Sequence, residues 1–381
     1  MLISLIGKGD TGKTTALATF MLKHNYFGSH TEEVIKYAKF EAEITNTPNN
    51  WKQFLLYESP TEKIQDRTIY TAQKTFYFDG KTVQPFMSRQ YLILQDNKYQ
   101  RVVEKVPQPE KITGKIFSIQ DVGGQKDLFH QQINSLRITD EVVLFVDSFE
   151  EQELDHYIKI LKAFNFDDIW LVVNKEDLLG EKAFEIRDKT ISYLKENKIT
   201  VKDSLITSAL YKEDISDFFL KIVQNGKVRI YDKNILGIVR NKNRNLGTVR
   251  IYNKNKFLDN DNKIYTLSNT RFKLNEVESA QMSFVDVKML YRGYLYGIRF
   301  AKNFLPSVLY DPSDEDKIEI PLRAIHVPGF NPDEHLLYSS FIHTIKDVKF
   351  GNLILNEGIT TKEIFVVKKD TYDILDYYKL F

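Results

Sequence analysis

Met1-Leu-Ile-Ser-Leu-Ile-Gly7-Lys8-Gly9-Asp10-Thr11-Gly12-Lys13-Thr14-Thr15 opens the chain and is its most informative stretch. Met1 to Ile6 has the length and apolar content of a strand buried on both faces. From Lys13 to Lys23 the residues form a helix with an apolar face. Between the two, Gly7 to Thr14 fits G-x-x-x-x-G-K-[ST] at every fixed position, in the strand–loop–helix context the pattern requires. The residue types follow from the chemistry of holding a polyphosphate. Glycines leave main-chain N–H groups free to curl around phosphate oxygens, and the helix N-terminus adds partial positive charge. Lys13 can reach the β- and γ-phosphates, and Thr14 can offer a hydroxyl to Mg²⁺. An accidental glycine turn is the competing explanation, and the flanking elements leave it little room. Gly7 through Thr15 are therefore the candidate phosphate-binding residues.

Three later segments share this logic. Lys115 to Gln125 reads KIFSIQDVGGQ, a strand ending in D-x-x-G-Q. Asp121 there can hold Mg²⁺ through water, Gly124 leaves its N–H open to a γ-phosphate, and Gln125 can orient an attacking water. Taken alone, D-x-x-G is more often a β-turn; its position at a strand end downstream of the glycine loop gives it weight. Asp168 to Asp177 reads DIWLVVNKED, with N-K-x-D at the strand terminus. An Asp177 carboxylate can accept both N1–H and the N2 amino group of guanine, whereas adenine offers neither donor there. Asn174 would tie base and loops together, and the Lys175 stem can lie across the ring. Ser204 to Leu210 ends another short strand, and the main chain of Ser208, Ala209 and Leu210 can face guanine O6. Each signal is weak alone. Their order, each at the carboxyl end of a strand, is that of a ligand-binding doubly wound sheet.

Taken together these motifs resemble the elongation factor Tu and elongation factor 1-alpha family of translational GTPases, particularly its archaeal and eukaryotic branch. Asp10 stands where the family has the aspartate of G-H-V-D-H-G-K. Thr31 to Glu43 and Asn50-Trp51 resemble the helical switch I insertion of elongation factor 1-alpha, and Glu62 to Ile69 resembles the segment ending R-G-I-T-I. The resemblance implies that Thr68 closes over Mg²⁺ and the γ-phosphate, so the implied metal set is Thr14, Thr68 and Asp121, and the implied catalytic set Lys13, Thr68 and Gln125. Asp121 to Phe129 resembles D-A-P-G-H-R-D-F with two departures. Gly123 replaces proline, and Gln125 replaces the catalytic histidine, as in Ras-like and Arf-like GTPases. Gln125 can still polarise water, so slow intrinsic hydrolysis is expected, while activation by the ribosome in the family's usual way is not implied. Residues 80–111, with Pro85, Pro107 and Pro109, read as a hairpin and loop with no assigned chemistry, and most of 29–111 reads as a solvated insertion with some helix.

Beyond Asn225-Gly226 the helix–strand alternation gives way to short strands rich in Tyr, Phe, Val and Ile. Lys227 to Ile230, Leu246 to Tyr252 and Glu276 to Arg299 resemble the family's second, β-barrel domain, with Gly247-Thr248-Val249 for G-T-V. Tyr294, Leu295 and Tyr296 replace the motif residues between Gly293 and Gly297. Residues 227–256 hold nine Lys or Arg against the single acid Asp232. Such a stripe with interleaved Tyr231 and Tyr252 can bind RNA, and a solvated barrel face explains it equally well. Asp311 to Asp316 reads as a linker. The segment beyond this linker resembles a shortened version of the family's third domain, too short for the usual barrel, which weakens the implied role of aminoacyl-tRNA carrier. His326, His335 and His343 lack carboxylates at ligand spacing and read as structural.

The expected fold class is multidomain α/β plus all-β: a P-loop GTPase domain at 1–225 with its insertion at 29–111, a β-barrel at 226–310, and a short β-rich domain at 311–381. The chain has 381 residues, 42% of them hydrophobic, enough for several cores. A formal net charge of +1 gives no global argument for nucleic acid or membrane, and the absence of cysteine excludes disulfides and thiolate zinc sites. The apolar start is too short for a signal peptide and no stretch reaches the roughly 18 residues of a membrane span, so a cytoplasmic protein is expected. Expected ligands are GTP or GDP and Mg²⁺. Expected partners are tRNA or the ribosome and an exchange or activating protein, with no membrane or DNA. A regulatory GTP-binding paralogue acting on a protein partner is the alternative.

Overall fold

The computed structural model describes residues 1–57, 59–65, 68, 71–95, 98–109, 111–125, 132, 135–136, 138–164, 166–229, 235–243, 245–251, 256–258, 263–268, 271–301, 308–310, 342–345 and 353–356. The chain forms two compact units. One comprises Met1–Ser135, Thr139–Lys162 and Phe166–Val228, the other Leu136–Ile138, Ala163–Asn165 and Arg229–Phe381.

The first unit is built on a seven-stranded sheet. Its strands are β1 (Leu2–Ile6), β2 (Ala72–Phe78), β3 (Val83–Pro85), β6 (Lys115–Asp121), β7 (Glu141–Val146), β8 (Asp168–Val173) and β9 (Thr200–Ile206), in spatial order β3-β2-β6-β1-β7-β8-β9. Neighbours from β6 to β9 run parallel, and β2 and β3 are added antiparallel at one edge. Every residue of β1 and β7 is buried, as expected of parallel strands covered on both faces. Helix α1 (Lys13–Lys23) packs on the sheet through Ala16, Leu17, Phe20 and Met21. Phe20 meets Phe76 of β2 edge-on at 5.0 Å, and Phe76 stacks on Phe117 of β6 at 5.4 Å. Each such aromatic pair adds about 1 kcal/mol beyond burial and locks the antiparallel edge in register.

The insertion is not a solvated appendage. Helix α2 (Thr31–Ile44) buries Val34, Tyr37, Ala38, Glu41 and Ala42, a stripe at helical spacing, and carries Glu32 and Glu33 at its N-terminus, where they suit the helix dipole. A 3₁₀ segment (Pro48–Leu55) and a short helix α3 (Pro60–Gln65) follow. The expected hairpin forms from β4 (Ser88–Gln95) and β5 (Lys98–Lys105), with Arg89 opposite Glu104. Tyr91, Ile93, Phe54, Leu56 and Tyr57 join α1 in one continuous core. The solvated reading fails because the apolar face of α2 is covered by the 3₁₀ segment and by the hairpin, and the hairpin lies beyond the reach of local periodicity.

From Arg229 onward the second unit is all-β among the described residues. Strands β10 (Ile235–Asn243), β11 (Leu246–Ile251), β13 (Lys263–Ser268), β14 (Arg271–Met282), β17 (Leu295–Phe300) and β18 (Val308–Tyr310) pair antiparallel, and β13 bonds both β18 and β14, so the sheet closes on itself. The short β12 (Lys256–Phe257) pairs with β16 (Met289–Leu290), and β15 (Val285–Asp286) pairs with the end of β14. Along β17, Tyr296, Ile298 and Phe300 are buried while Arg299 is exposed, the alternation of a barrel wall. The strand expected at Lys227 to Ile230 does not form over Lys227 to Arg229, where the Lys227 N–H donates to Glu141 Oε1 at 2.7 Å instead of to a neighbouring strand; Ile230 lies outside the described residues. Within the basic stripe, Arg250 is fully buried and donates to the Ile138 carbonyl, so it is unavailable to a phosphate. The expected domain at 311–381 lies outside the described residues except for one antiparallel pair, Ile342–Ile345 with Leu353–Asn356. His326 and His335 are outside them, and His343 sits in that pair. Among the described residues no helix is long and apolar enough to cross a membrane.

Candidate functional site

The carboxyl ends of β1, β6, β8 and β9 deliver their loops to one cleft of about 580 Å³. From the glycine loop, Gly9, Asp10, Gly12, Lys13, Thr14 and Thr15 line it. Gly7, Lys8 and Thr11 stand behind, shaping rather than lining. Lys13 Nζ, almost fully buried, donates to the Gly7 carbonyl at 2.8 Å, the Lys8 carbonyl at 2.6 Å and Thr11 Oγ1 at 3.3 Å. Burial pulls this ammonium down to about 8 against the opposing pull of Asp121. A buried cation held mainly by neutral oxygens gains from an anion brought beside it. The Lys8 side chain points elsewhere, to Glu150 at 3.0 Å and Glu153 at 3.5 Å.

Thr14, Thr68 and Asp121 converge. Thr14 Oγ1 donates to Asp121 Oδ2 at 2.7 Å, Thr68 Oγ1 approaches the same oxygen at 3.2 Å, and the two hydroxyls are 2.8 Å apart. Asp121 is fully buried, and burial raises its pKa. Its Oδ1 has no hydrogen-bond partner. A buried carboxylate oxygen without a donor, next to two hydroxyls, suits a hard divalent cation. Among the described residues no cluster of three or more His, Cys, Asp or Glu forms, so the rest of an oxygen shell here falls to water and phosphate. Arg67 and Ile69, which flank Thr68, lie outside the described residues, as do Lys126 to His130.

Gly124 packs directly on the glycine loop: a Cβ there would lie 2.3 Å from the Gly7 carbonyl oxygen and 2.5 Å from Lys13 Nζ. Gln125 lines the cleft beside Gly9, whose Cβ position is 3.3 Å from Gln125 Cγ. At the other end, Asn174 Nδ2 donates to the Thr11 carbonyl at 2.8 Å, and Asn174 Oδ1 accepts from the Ala209 N–H at 2.9 Å. One buried amide thus joins the phosphate loop to the Ser208–Leu210 loop. This contact also requires glycine at position 12, where φ is 88° and a Cβ would collide with Asn174 Nδ2 at 2.0 Å. Lys175, itself left-handed at φ 63°, pairs with Asp147 at 2.7 Å. Lys175, Asp177, Ser208, Ala209 and Leu210 all line the cleft. Asp177 is exposed.

Sequence reasoning missed part of the wall. Asn50, Gln53 and Tyr57 from the insertion, and Leu178 beside Asp177, also line the cleft. No local pattern marks them. Asp147, at the end of an apolar strand, was equally invisible as the partner of Lys175.

A doubly wound sheet with these loops at its carboxyl edge defines a P-loop nucleotide-binding domain. Residues 1–231 match the model of the elongation factor Tu GTP binding domain, and the chain belongs to that family. No curated protein matches the sequence. The fold is similar to that of a bacterial selenocysteine-specific elongation factor, EF-Sec, at 15% identity and TM-score 0.51, covering 82% of this chain and 45% of that one. It is also similar to the S. cerevisiae Ski7 GTPase-like domain bound to GDP and inorganic phosphate, at 12% identity and TM-score 0.55, covering 91% and 77% of the two chains. The GTP-bound Ski7 domain gives 12% identity and TM-score 0.54, with 87% and 76% covered. At such identities the likeness concerns the fold. This chain spans less than half the length of the EF-Sec chain.

Proposed function

We propose that the protein is a cytoplasmic GTP-binding switch that slowly hydrolyses GTP to GDP and phosphate. The observation that carries this reading is Asn174, bonded at once to the phosphate loop and to the guanine loop in a cleft that gathers all four motifs. Gly7 through Thr15 and Gly124 hold the phosphates, with Lys13 at the β/γ position. Asn174, Lys175, Asp177 and residues 208–210 select guanine. Thr14, Thr68 and Asp121 would hold Mg²⁺, which when bound supplies charge neutralisation at the phosphates. Gln125 orients a water whose oxygen bonds to the γ-phosphorus and whose proton passes to a γ-phosphate oxygen, while the bond to the β–γ bridging oxygen breaks and its electron pair leaves with GDP. Thr68 and residues 121–125 are then the segments that GTP orders and hydrolysis releases. Single-turnover hydrolysis by the full chain and by Gln125→Ala tests this. A loss of about tenfold or more in the variant is expected from removing a water-positioning group, and equal rates would remove the role of Gln125.

The partner reading is tRNA or the ribosome, supported by the likeness in fold to EF-Sec and by the basic residues around the first barrel strands. An exchange or activating protein would complete the cycle. The replaced residues Tyr294 to Tyr296 favour the second reading, a regulator of a protein partner. Filter binding to charged and uncharged tRNA across a salt series separates the two. A salt-sensitive preference for charged tRNA supports the carrier, and no binding at physiological salt removes it.

A further inference from the structure

The 3₁₀ segment Pro48–Leu55 is the part of the insertion that reaches the nucleotide cleft, through Asn50 and Gln53. Two sets of contacts fix where along the cleft it lies. Lys52 Nζ donates to the Leu210 carbonyl at 2.6 Å and to Thr19 Oγ1 at 3.0 Å, and Thr19 Oγ1 donates to the Ala209 carbonyl at 2.7 Å. The segment is thereby bolted between the Ser208–Leu210 loop and the second turn of α1, whose first turn carries Thr14 and Thr15. In a guanosine nucleotide with its base at the 208–210 loop and its phosphates at residues 7–15, the ribose spans the gap between them. Asn50 interrupts the segment with φ −98° and ψ 16°, the sparsely populated bridge region in which many site residues sit. Side-chain amides both donate and accept, which matches a sugar hydroxyl.

We infer, building on the guanosine-nucleotide reading of this cleft, that Pro48–Leu55 is a ribose-reading wall in which Asn50 and Gln53 bond the sugar hydroxyls and Lys52 positions the wall against the guanine loop. The insertion then contributes sugar selectivity to a site whose motifs provide phosphate and base selectivity. A hydroxyl removed from a partly exposed pair of neutral hydrogen bonds weakens binding about 3- to 10-fold.

Calorimetry on the full chain with Mg²⁺, using GTP, 2′-deoxyGTP, 3′-deoxyGTP and ATP, tests the wall directly. At least one deoxy analogue is expected to bind the wild type about 3- to 10-fold more weakly than GTP. That ratio is expected to vanish in Asn50→Ala/Gln53→Ala and to narrow in Lys52→Met, while each variant keeps its preference for GTP over ATP. A wild type that binds both deoxy analogues as tightly as GTP yet rejects ATP overturns the wall and leaves the base reading intact, whether or not any variant folds. A ratio that survives in the double variant also overturns it. Equal binding of GTP and ATP removes the underlying reading of the cleft, a distinct failure.

Discussion

Asn174 does more structural work than its motif suggests. Its two amide atoms hold the Thr11 carbonyl and the Ala209 N–H, both buried. Asn174→Ala leaves both without this partner, and each such loss costs roughly 1–3 kcal/mol. A fall of at least about 4–8 °C in melting temperature is expected for a unit of this size, together with at least tenfold weaker GTP binding. A variant with an unchanged melting curve and unchanged affinity would show that the two loops hold each other by other means. Much of this site was legible one residue at a time. Lys13, Asp121 and Asp177 follow from phosphate, metal and guanine chemistry at fixed spacings; Lys13 and Asp177 line the cleft, and Asp121 accepts from Thr14, which also lines it. Thr68 was reachable only through family resemblance, because nothing in its own neighbourhood separates it from Thr61, Thr71 or Thr75. The resemblance placed Asn50 in the insertion without a role and left Gln53 unmarked, since both reach the cleft only after the insertion folds over α1.

Among the elements, the β4–β5 hairpin carries a cross-strand ion pair on its ladder. Arg89 Nε and Nη2 donate to the two Glu104 oxygens at 2.7 Å each, and Tyr91 adds a bond at 3.2 Å. The Arg89 bonds hold the Glu104 carboxyl below its ordinary value of 4.5. A carboxylate with a depressed folded value stabilises fully above the unfolded value and ceases to do so as pH falls through the folded one. The pair is part-exposed and screened, so Glu104→Gln is expected to cost only about 0.5–1 kcal/mol. Hydrogen exchange of the hairpin amides checks this: the wild-type protection factor holds steady above about pH 5 and falls as pH drops below 4.5, and the variant starts lower and falls less. Identical profiles would mean that the core contacts of Tyr91 and Ile93 set the register alone. Those same contacts explain why the central strands were easier to read than the insertion. Strands β1 and β8 are largely apolar runs ending in recognisable motifs, whereas Val34 and Ala38 on α2 share a core with the 3₁₀ segment and with a hairpin distant in sequence.

For the molecule as a whole, an α/β nucleotide-binding unit and a closed β unit share one chain, as the fall from helix–strand alternation to Tyr- and Ile-rich strands indicated. The strand boundaries of the barrel were read less well, because a main-chain bond to Glu141 holds Lys227 out of any sheet. In the proposed function, the first unit recognises guanosine triphosphate by an Asp177 carboxylate and a cradle of main-chain amides. Calorimetric titration of the full chain with GTP and with ATP in the presence of Mg²⁺, repeated on Asp177→Asn, addresses it most directly. GTP is expected to bind at least 100-fold more tightly than ATP, on the scale of a missing pair of hydrogen bonds to a charged group, and Asp177→Asn to abolish most of that margin. Equal affinities for the two nucleotides, or a variant with undiminished selectivity, would contradict it.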